Sequence, residues 1–227
     1  SGNLGGAAML CALEDILGDK VDDFVLASIL PESDILRKDV SEVRIAYADY
    51  RLLLLIIAPV CLLLWPVRHI KFINDFMRRV PICKVFASAD AVADLSGIAF
   101  VDGRGPSLLW YNTAVAIPAL FFDVPFHKLS QALGPMNTLL NKTAADFILR
   151  RCCTVAARGE KSLQHLHDQG ISAAVLRADT SFAMKLTNEH VENARTQCTS
   201  VVDDFGEKPL VLITPSAVVN NYCEVRG

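Results

Sequence analysis

The hydrophobic pattern of this 227-residue chain alternates short apolar runs with longer segments in which apolar residues recur at helical spacing. The short runs predict strands at 24–30, 92–101, 125–133, 154–157, 171–176 and 210–214. The longer segments predict helices at 3–17, 39–55, 70–80, 108–122, 137–151, 160–169 and 188–201. Because strands and helices alternate over the whole length, we expect an α/β fold with a doubly wound, mainly parallel sheet.

The stretch 151–184 is the most informative because it places polar residues at the ends of predicted strands. Arg158 and Asp179 each follow such a strand. Ligands of open α/β sheets bind beyond the carboxyl ends of the strands. The planar guanidinium of an arginine binds phosphate or carboxylate. We therefore predict that Arg158 and Asp179 face a ligand site; the alternative is a structural ion pair of Arg158 with Glu160 or Asp179.

Polar residues at other predicted strand exits add candidates with open alternatives. Asp102, in DLSGIAFVDGRGP, suits an acid–base or orienting role, and also a turn with the following glycines. Gln131, in QALGP, suits a contact to a sugar hydroxyl or a structural turn. Ser162 follows Arg158 at a predicted helix start, where it suits substrate binding or the early helix itself.

Charge and cysteine content exclude several classes of protein. The formal net charge is -3 and the sequence pI is about 5.9, which does not favour nucleic-acid binding. The 7 cysteines include no Cys-x-x-Cys pair, and the 5 histidines show no metal-ligand spacing. We expect reduced cysteines in a cytoplasmic protein, and no metal site.

The segment 52–67 (LLLLIIAPVCLLLWPV) is uncharged and lies between Arg51 and Arg68. It is shorter than the roughly 20 apolar residues of a membrane-spanning helix, and Pro59 and Pro66 interrupt it. A buried or surface-inserted helix fits better than a span. The basic residues that follow suit either peripheral attachment to anionic lipid or an ordinary solvated helix face.

Five segments in order resemble the motifs of the polysaccharide pyruvyl transferase family. GNLGGAAML resembles its Gly-Asn-x-Gly-Asp opening, SGIAFVDGRG its glycine-rich strand exit, QALGP its Gln-x-x-Gly-Pro turn, ARGEKSLQHLHDQGI its Arg-x-x-x-Ser helix start, and ADTSF its Ala-Asp-x-x-Phe turn. The chain departs from the pattern at Gly6, where the family usually has Asp, and at Gly159, where many members are acidic.

The resemblance implies one half of a two-domain architecture of the glycosyltransferase B type. We accordingly expect residues 1–206 to form an N-terminal Rossmann-like domain and residues 207–227 to begin an incomplete second one. The opening glycine-rich turn lacks a preceding strand, and the last strand begins a new unit. We therefore expect a chain truncated at both ends.

The resemblance further implies transfer of a pyruvyl group from phosphoenolpyruvate to saccharide hydroxyls, which forms a ketal in exopolysaccharide or cell-wall polysaccharide biosynthesis. No cofactor is required, and the acceptor is a saccharide or a lipid-linked saccharide. The alternatives are a nucleotide-sugar glycosyltransferase, which the implied fold also supports, and a non-catalytic truncated remnant. A lipid-linked acceptor would place the protein in the cytoplasm at the inner face of the membrane, with contact through 52–67.

The same resemblance assigns roles to individual residues. Asp102 and Arg158 become candidate catalytic residues, with Arg158 neutralising the charge of the donor. The candidate substrate-binding set, which includes amide and backbone donors of the opening turn, is Asn3, Gly5, Gly134, Arg158, Ser162 and Asp179.

Overall fold

The computed structural model describes residues 4–28, 44–47 and 49–185, together with Asn188, Glu192 and Thr196. Its strands are β1 (Val25–Ser28), β2 (Arg44–Tyr47), β3 (Val92–Asp94), β4 (Ile98–Ala99), β5 (Phe126–Leu133), β6 (Thr154–Arg158) and β7 (Val175–Arg177). Its helices are α1 (Leu4–Leu17), α2 (Tyr50–Leu52, continued by π-helical Leu53–Ile57 and by Ala58–Leu63), α3 (Lys71–Met77), α4 (Pro81–Ala87), α5 (Pro106–Ala114), α6 (Ile117–Phe121), α7 (Leu139–Leu149) and α8 (Glu160–Asp168).

The main sheet is parallel, and its strands lie in the order β3-β5-β6-β7. The short strand β4 pairs in parallel with the end of β5 and lies outside this order. β1 and β2 pair with each other as a separate two-stranded parallel sheet. The predicted α/β class with a parallel sheet is confirmed, and it is consistent with a Rossmann-like fold. The described strands of the main sheet lie side by side in the order of the sequence, and a doubly wound sheet would also need strands added in the opposite direction. The doubly wound layout and the B-type architecture therefore stay predictions.

The core is one apolar cluster between the sheet and the helices α2, α4, α6, α7 and α8. All of α6 is buried, which explains its continuous apolar sequence IPALF. Phe121 and Phe126 are at most 1% exposed, and burial of such a side chain stabilises the fold by about 1.5–3 kcal/mol.

The second half of the sheet agrees closely with the predicted elements. β5, α7, β6 and α8 lie within two residues of their predicted bounds. Gly170 ends α8 as expected: it has φ 77, its N–H donates to the His167 carbonyl at 2.8 Å, and Ile171 N donates to the Leu166 carbonyl at 2.8 Å. β7 begins at Val175, later than predicted, because 171–174 forms a turn.

The predicted helix at 39–55 is wrong at its start, since 44–47 is strand β2 paired with β1. The boundary is set by Asp49, whose Oδ1 accepts hydrogen bonds from Arg51 N at 2.8 Å and Leu52 N at 3.3 Å. This is the N-cap arrangement that begins α2. The helix then continues past Pro59 through its π-helical turn rather than breaking there.

Two other long elements are each divided in the structure. The predicted strand 92–101 is interrupted between β3 and β4, because the Asp94 side chain accepts a hydrogen bond from Ser96 N at 2.8 Å and turns the chain. The predicted helix 108–122 is α5 followed by α6, with Pro118 in the first turn of α6.

Pro81 ends the preceding helical region as predicted, but it also begins α4, which was not predicted.

The chain divides into two compact units, Ser1–Lys185 and Leu186–Gly227. In the second unit the described residues Asn188, Glu192 and Thr196 are helical, and Thr196 Oγ1 donates to the Glu192 carbonyl at 2.9 Å. The predicted strand 210–214 and the predicted domain boundary after residue 206 lie outside the described residues. That boundary stays a prediction.

Candidate functional site

The strands of the main sheet are parallel, so their carboxyl ends meet along one edge. Arg158 is the last residue of β6 and lies at the middle of this edge. Its Nη1 donates to Asp179 Oδ2 at 2.5 Å, and its Nη2 donates to the Gly97 carbonyl at 3.0 Å. One guanidinium therefore joins the segment before β4 to the turn after β7.

Asp179 is held on both of its carboxylate oxygens. While Oδ2 accepts from Arg158, Oδ1 accepts from Ser181 N at 3.0 Å and Ser181 Oγ at 2.9 Å. Partial burial would raise the pKa of Asp179, but the hydrogen bonds from Ser181 and Arg158 outweigh it and lower the pKa. Asp179 is thus ionised at neutral pH. The predicted alternative, an ion pair between Arg158 and Asp179, is present.

The Gly97 carbonyl is fixed independently of Arg158. It accepts a second hydrogen bond from Ala132 N of β5 at 3.1 Å. The turn before it is closed by Asp94 Oδ1, which accepts from Ser96 N at 2.8 Å and from Ser96 Oγ at 2.5 Å. The acceptor that holds Arg158 therefore belongs to a backbone segment with little freedom to move.

Beneath this turn lies a buried ion pair between Lys128 of β5 and Asp94 of β3. Lys128 Nζ is 2.5 Å from Asp94 Oδ2, with the two side chains 0% and 9% exposed. Nζ also lies 3.3 Å from Gln131 Oε1, while Gln131 Nε2 donates to the Asp94 carbonyl at 2.9 Å. Burial would raise the pKa of Asp94, but the Lys128 ammonium and the Ser96 hydrogen bonds outweigh it and lower the pKa to about 2.

A bulge in β5 supports the other side of the site. The β5–β6 register shifts between Lys128 and Gln131, and Ser130 within this bulge has φ 51. Its Oγ donates to the Ala178 carbonyl at 2.5 Å, immediately before Asp179. Bulges often redirect a side chain beside an active site. Here the bulge attaches β5 to the turn that carries Asp179.

Gly134 follows the end of β5, and Ser162 lies in the first turn of α8, where the two elements pack together. Ser162 is 7% exposed, and its Oγ accepts a hydrogen bond from Leu133 N at 3.0 Å. Gly134 has φ +76, and a Cβ on it would lie 2.7 Å from the Cβ of His165. These contacts give both residues a role in joining β5 to α8, while their predicted contact with substrate stays a prediction.

Asp102 lies beside the start of α7 and binds the two residues that precede the helix as well as Asn141 within it. Its carboxylate accepts hydrogen bonds from Asn137 N at 2.5 Å, Thr138 Oγ1 at 2.8 Å and Asn141 Nδ2 at 2.9 Å. Partial burial would raise the pKa of Asp102, but these hydrogen bonds outweigh it and lower the pKa. Asp102 is therefore ionised at neutral pH, which suits an orienting or basic role and not that of a proton donor. Its predicted catalytic role stays a prediction.

We expect Asp102→Ala to reduce the free energy of unfolding by about 1–2 kcal/mol, because the Asn137 and Thr138 N–H groups that lead into α7 lose their acceptor. Asp102→Asn, which keeps one acceptor oxygen, should lose less. Because the folded pKa of Asp102 is lowered, the wild-type contribution is present above the unfolded pKa and is lost as the pH falls. Urea unfolding at pH 7 and at acid pH measures this, and an Asp102→Ala variant as stable as wild type would contradict it.

The glycine-rich opening segment is only partly described. Asn3 lies outside the described residues, and Gly5 lies in the first turn of α1. α1 packs against the 3-10 turn Thr180–Ala183, and Lys185 N donates to Asp15 Oδ2 at 2.7 Å. The helix that the opening motif begins is thus attached to the turn that follows Asp179.

Two cavities lie near the candidate residues. One of about 10 Å³ is lined by Phe100, Arg104, Asn112 and Asn141, and the buried Asn141 Oδ1 has no hydrogen-bond partner within the described structure. The other, of about 210 Å³, is a polar groove between the segment after Gly134 and the helices α7 and α8. Within 4–28, 44–47 and 49–185, His, Cys, Asp and Glu form no group of three or more that could hold a metal ion.

Sequence reasoning found Arg158 and Asp179 together but missed the ion pair beneath them. Lys128 was the available signal, since a lysine inside the otherwise apolar strand FHKLSQAL needs a buried partner. Gln131, predicted to bind a sugar hydroxyl or to shape a turn, is 0% exposed and hydrogen-bonded to Lys128 and Asp94. The structural alternative for Gln131 is the one that its contacts support.

A family model described as polysaccharide pyruvyl transferase matches residues 3–225, nearly the whole chain. No curated protein and no solved structure matches the chain.

Proposed function

Since the chain belongs to the polysaccharide pyruvyl transferase family, we propose that it moves a pyruvyl group from phosphoenolpyruvate to saccharide hydroxyls and forms a ketal. The pathway that we propose is exopolysaccharide or cell-wall polysaccharide biosynthesis. The observation that carries the donor assignment is the position of Arg158 at the carboxyl edge of the sheet, with 32% of its side chain exposed.

Arg158 has the chemistry that this donor needs. Phosphoenolpyruvate carries a phosphate and a carboxylate, and the guanidinium recognises either through paired N–H groups. One hydrogen bond to Asp179 and one to the Gly97 carbonyl leave further N–H donors on the partly exposed guanidinium. Asp179 and Gly97 then fix the orientation of the group, which reduces the ordering cost of binding.

The reaction defines what the remaining residues must do. A general acid protonates the methylene carbon of the donor, and the electron-poor central carbon that results is attacked by one sugar hydroxyl, which loses its proton to a base. Inorganic phosphate leaves, and a second hydroxyl adds to the same carbon, loses its proton and closes the ring. Asp102 and Asp179, both with a lowered pKa, are ionised at neutral pH and so suit the basic or orienting roles.

The acceptor that we propose is a saccharide or a lipid-linked saccharide, and the proposed location is the cytoplasm at the inner face of the membrane. The uncharged segment 52–67 supports this placement because it lies between Arg51 and Arg68 and most of it, up to Leu63, belongs to the apolar helix α2. The candidate substrate contacts of Asn3, Gly5, Gly134 and Ser162 remain part of the same proposal.

We expect Arg158→Ala to weaken phosphoenolpyruvate binding by about 10- to 100-fold, because hydrogen bonds to a charged group contribute about 1.5–3 kcal/mol. Titration calorimetry measures the affinity, and thermal melting shows whether the variant is folded. Arg177→Ala is the matched control, since the Arg177 side chain is exposed at the end of β7 and, among the described residues, donates a hydrogen bond only to the neighbouring Leu176 carbonyl. Unchanged donor affinity in a folded Arg158→Ala protein would remove the assignment.

The same titrations separate the competing functions. Binding of uridine diphosphate without phosphoenolpyruvate would favour a nucleotide-sugar glycosyltransferase, which the fold also allows. A folded chain that binds neither ligand would favour a non-catalytic remnant.

A further inference from the structure

The helix α2 has an apolar side facing solvent as well as an apolar side facing the core. Leu53, Ile57 and Cys61 are buried against the core. The opposite side is formed by Leu52, Leu55, Ile56, Pro59 and Leu63, all exposed, with Leu55 at 72% and Leu63 at 79%. We call these five residues the apolar stripe.

A surface helix ordinarily places charged or polar residues on its solvent side. From Leu52 to Leu63, α2 contains no charged or polar side chain other than Cys61, which is buried. An exposed apolar strip of this kind indicates an interaction surface. None of the described helices is long and apolar enough to cross a bilayer.

The charge of the chain segment that contains the stripe indicates the partner. Residues 49–80 hold five basic and two acidic side chains, a net charge of +3, whereas the whole chain has a net charge of -3. The side chains of Lys71 and Arg79 are exposed and make no hydrogen bond or ion pair with any residue that the structure describes. Between them α3 exposes Phe72 at 79% and Phe76 at 57%. An exposed apolar helix side followed along the chain by exposed aromatic and basic side chains matches the boundary of an anionic bilayer.

We infer that the apolar stripe is a docking surface for anionic lipid. Leucine side chains of α2 enter the boundary between headgroups and acyl chains, and the basic residues that follow attract the lipid phosphates. The helix is held by the core through its other side, so docking needs no rearrangement of the fold. This inference does not depend on the identity of the donor.

The test is flotation of the full chain with vesicles of phosphatidylcholine, alone or mixed with phosphatidylglycerol. We expect binding to the mixed vesicles, weaker binding to phosphatidylcholine alone, and a decrease with salt. Leu55→Glu with Leu63→Glu should reduce binding to mixed vesicles by about a hundredfold, because two leucines no longer leave water. Lys71→Glu with Arg79→Glu should reduce only the component that depends on phosphatidylglycerol.

Leu140→Glu is the matched control, since Leu140 lies on α7 outside the stripe and is 73% exposed; it should leave binding unchanged. Both stripe substitutions are at exposed positions, so thermal melting should match wild type. Vesicle binding that persists in the folded stripe variant would overturn the inference. So would failure of the wild-type chain to bind mixed vesicles, or light scattering that shows a dimer abolished by the same two substitutions.

Discussion

Lys128→Met is expected to reduce the free energy of unfolding by about 3–5 kcal/mol, which is the cost of leaving one member of a buried ion pair without its partner. Lys128 is 0% exposed and its ammonium lies 2.5 Å from Asp94. Methionine fills a similar space but supplies neither the charge nor the hydrogen bonds. Unfolding by urea measures the loss, and a variant within 1 kcal/mol of wild type, about a fivefold change in the unfolding equilibrium, would contradict it.

The stability contribution of Asp94 should depend on pH in opposite senses in the wild type and in Lys128→Met. Asp94 has a folded pKa lowered to about 2 from 3.8, so its contribution is present above the unfolded pKa and is lost as the pH falls through about 2. Without Lys128, burial raises the pKa of Asp94 above its unfolded value, so the cost of the unpaired carboxylate is present at neutral pH and is relieved as the pH falls and Asp94 is protonated. The difference in stability between Lys128→Met and wild type should therefore shrink at acid pH. The double variant Lys128→Met with Asp94→Asn removes both charges and should recover much of the stability. Failure of the double variant to recover would mean that the pair acts through its shape and not its charge.

Gly134→Ala is expected to reduce the free energy of unfolding by about 2–5 kcal/mol, from two separable causes. An alanine is strained at φ +76, and its Cβ would lie 2.7 Å from the Cβ and 2.9 Å from the Cγ of His165. Because the Cβ of His165 is fixed to the backbone of α8, it cannot rotate away. Relief requires β5 and α8 to move apart.

Gly103→Ala is the matched control for this variant. Gly103 has φ +82, but nothing lies within 4 Å of the position that a Cβ would take. Its substitution should show only the backbone strain, about 1–2 kcal/mol. The difference between the two variants in thermal or urea unfolding measures the overlap with His165. Equal losses at both positions would show that the close approach contributes nothing.

The fold was most predictable where local signals and hydrophobic spacing agree. The region from β5 to α8 has apolar runs of clear length, and Gly170 marks the end of α8, so its elements were predicted closely. The segment 44–47 was assigned to a helix because the apolar residues after it continue the helical spacing. That β2 is a strand depends on its pairing with β1, which is a contact between distant parts of the chain.

The same distinction applies to the site. Arg158 and Asp179 could be placed together because both follow parallel strands. The Gly97 carbonyl could not be predicted, because a backbone atom has no signal in the sequence, and its position depends on the Asp94 turn. Lys128 gave a signal as a charge in an apolar strand, but its partner Asp94 is 34 residues away. The contacts of Asp102 with Asn137, Thr138 and Asn141 emerged only from the structure.

The bridge made by Arg158 has a consequence for how the sheet edge opens. β4 and β7 are not neighbours, since β5 and β6 lie between them, yet the segments beside both are held by one guanidinium. The two segments therefore cannot loosen separately without breaking a hydrogen bond to the same side chain. The two segments therefore form one cooperative unit in local unfolding. An anion that competes with Asp179 for Arg158 would change the protection of backbone amides near Gly97 against hydrogen exchange.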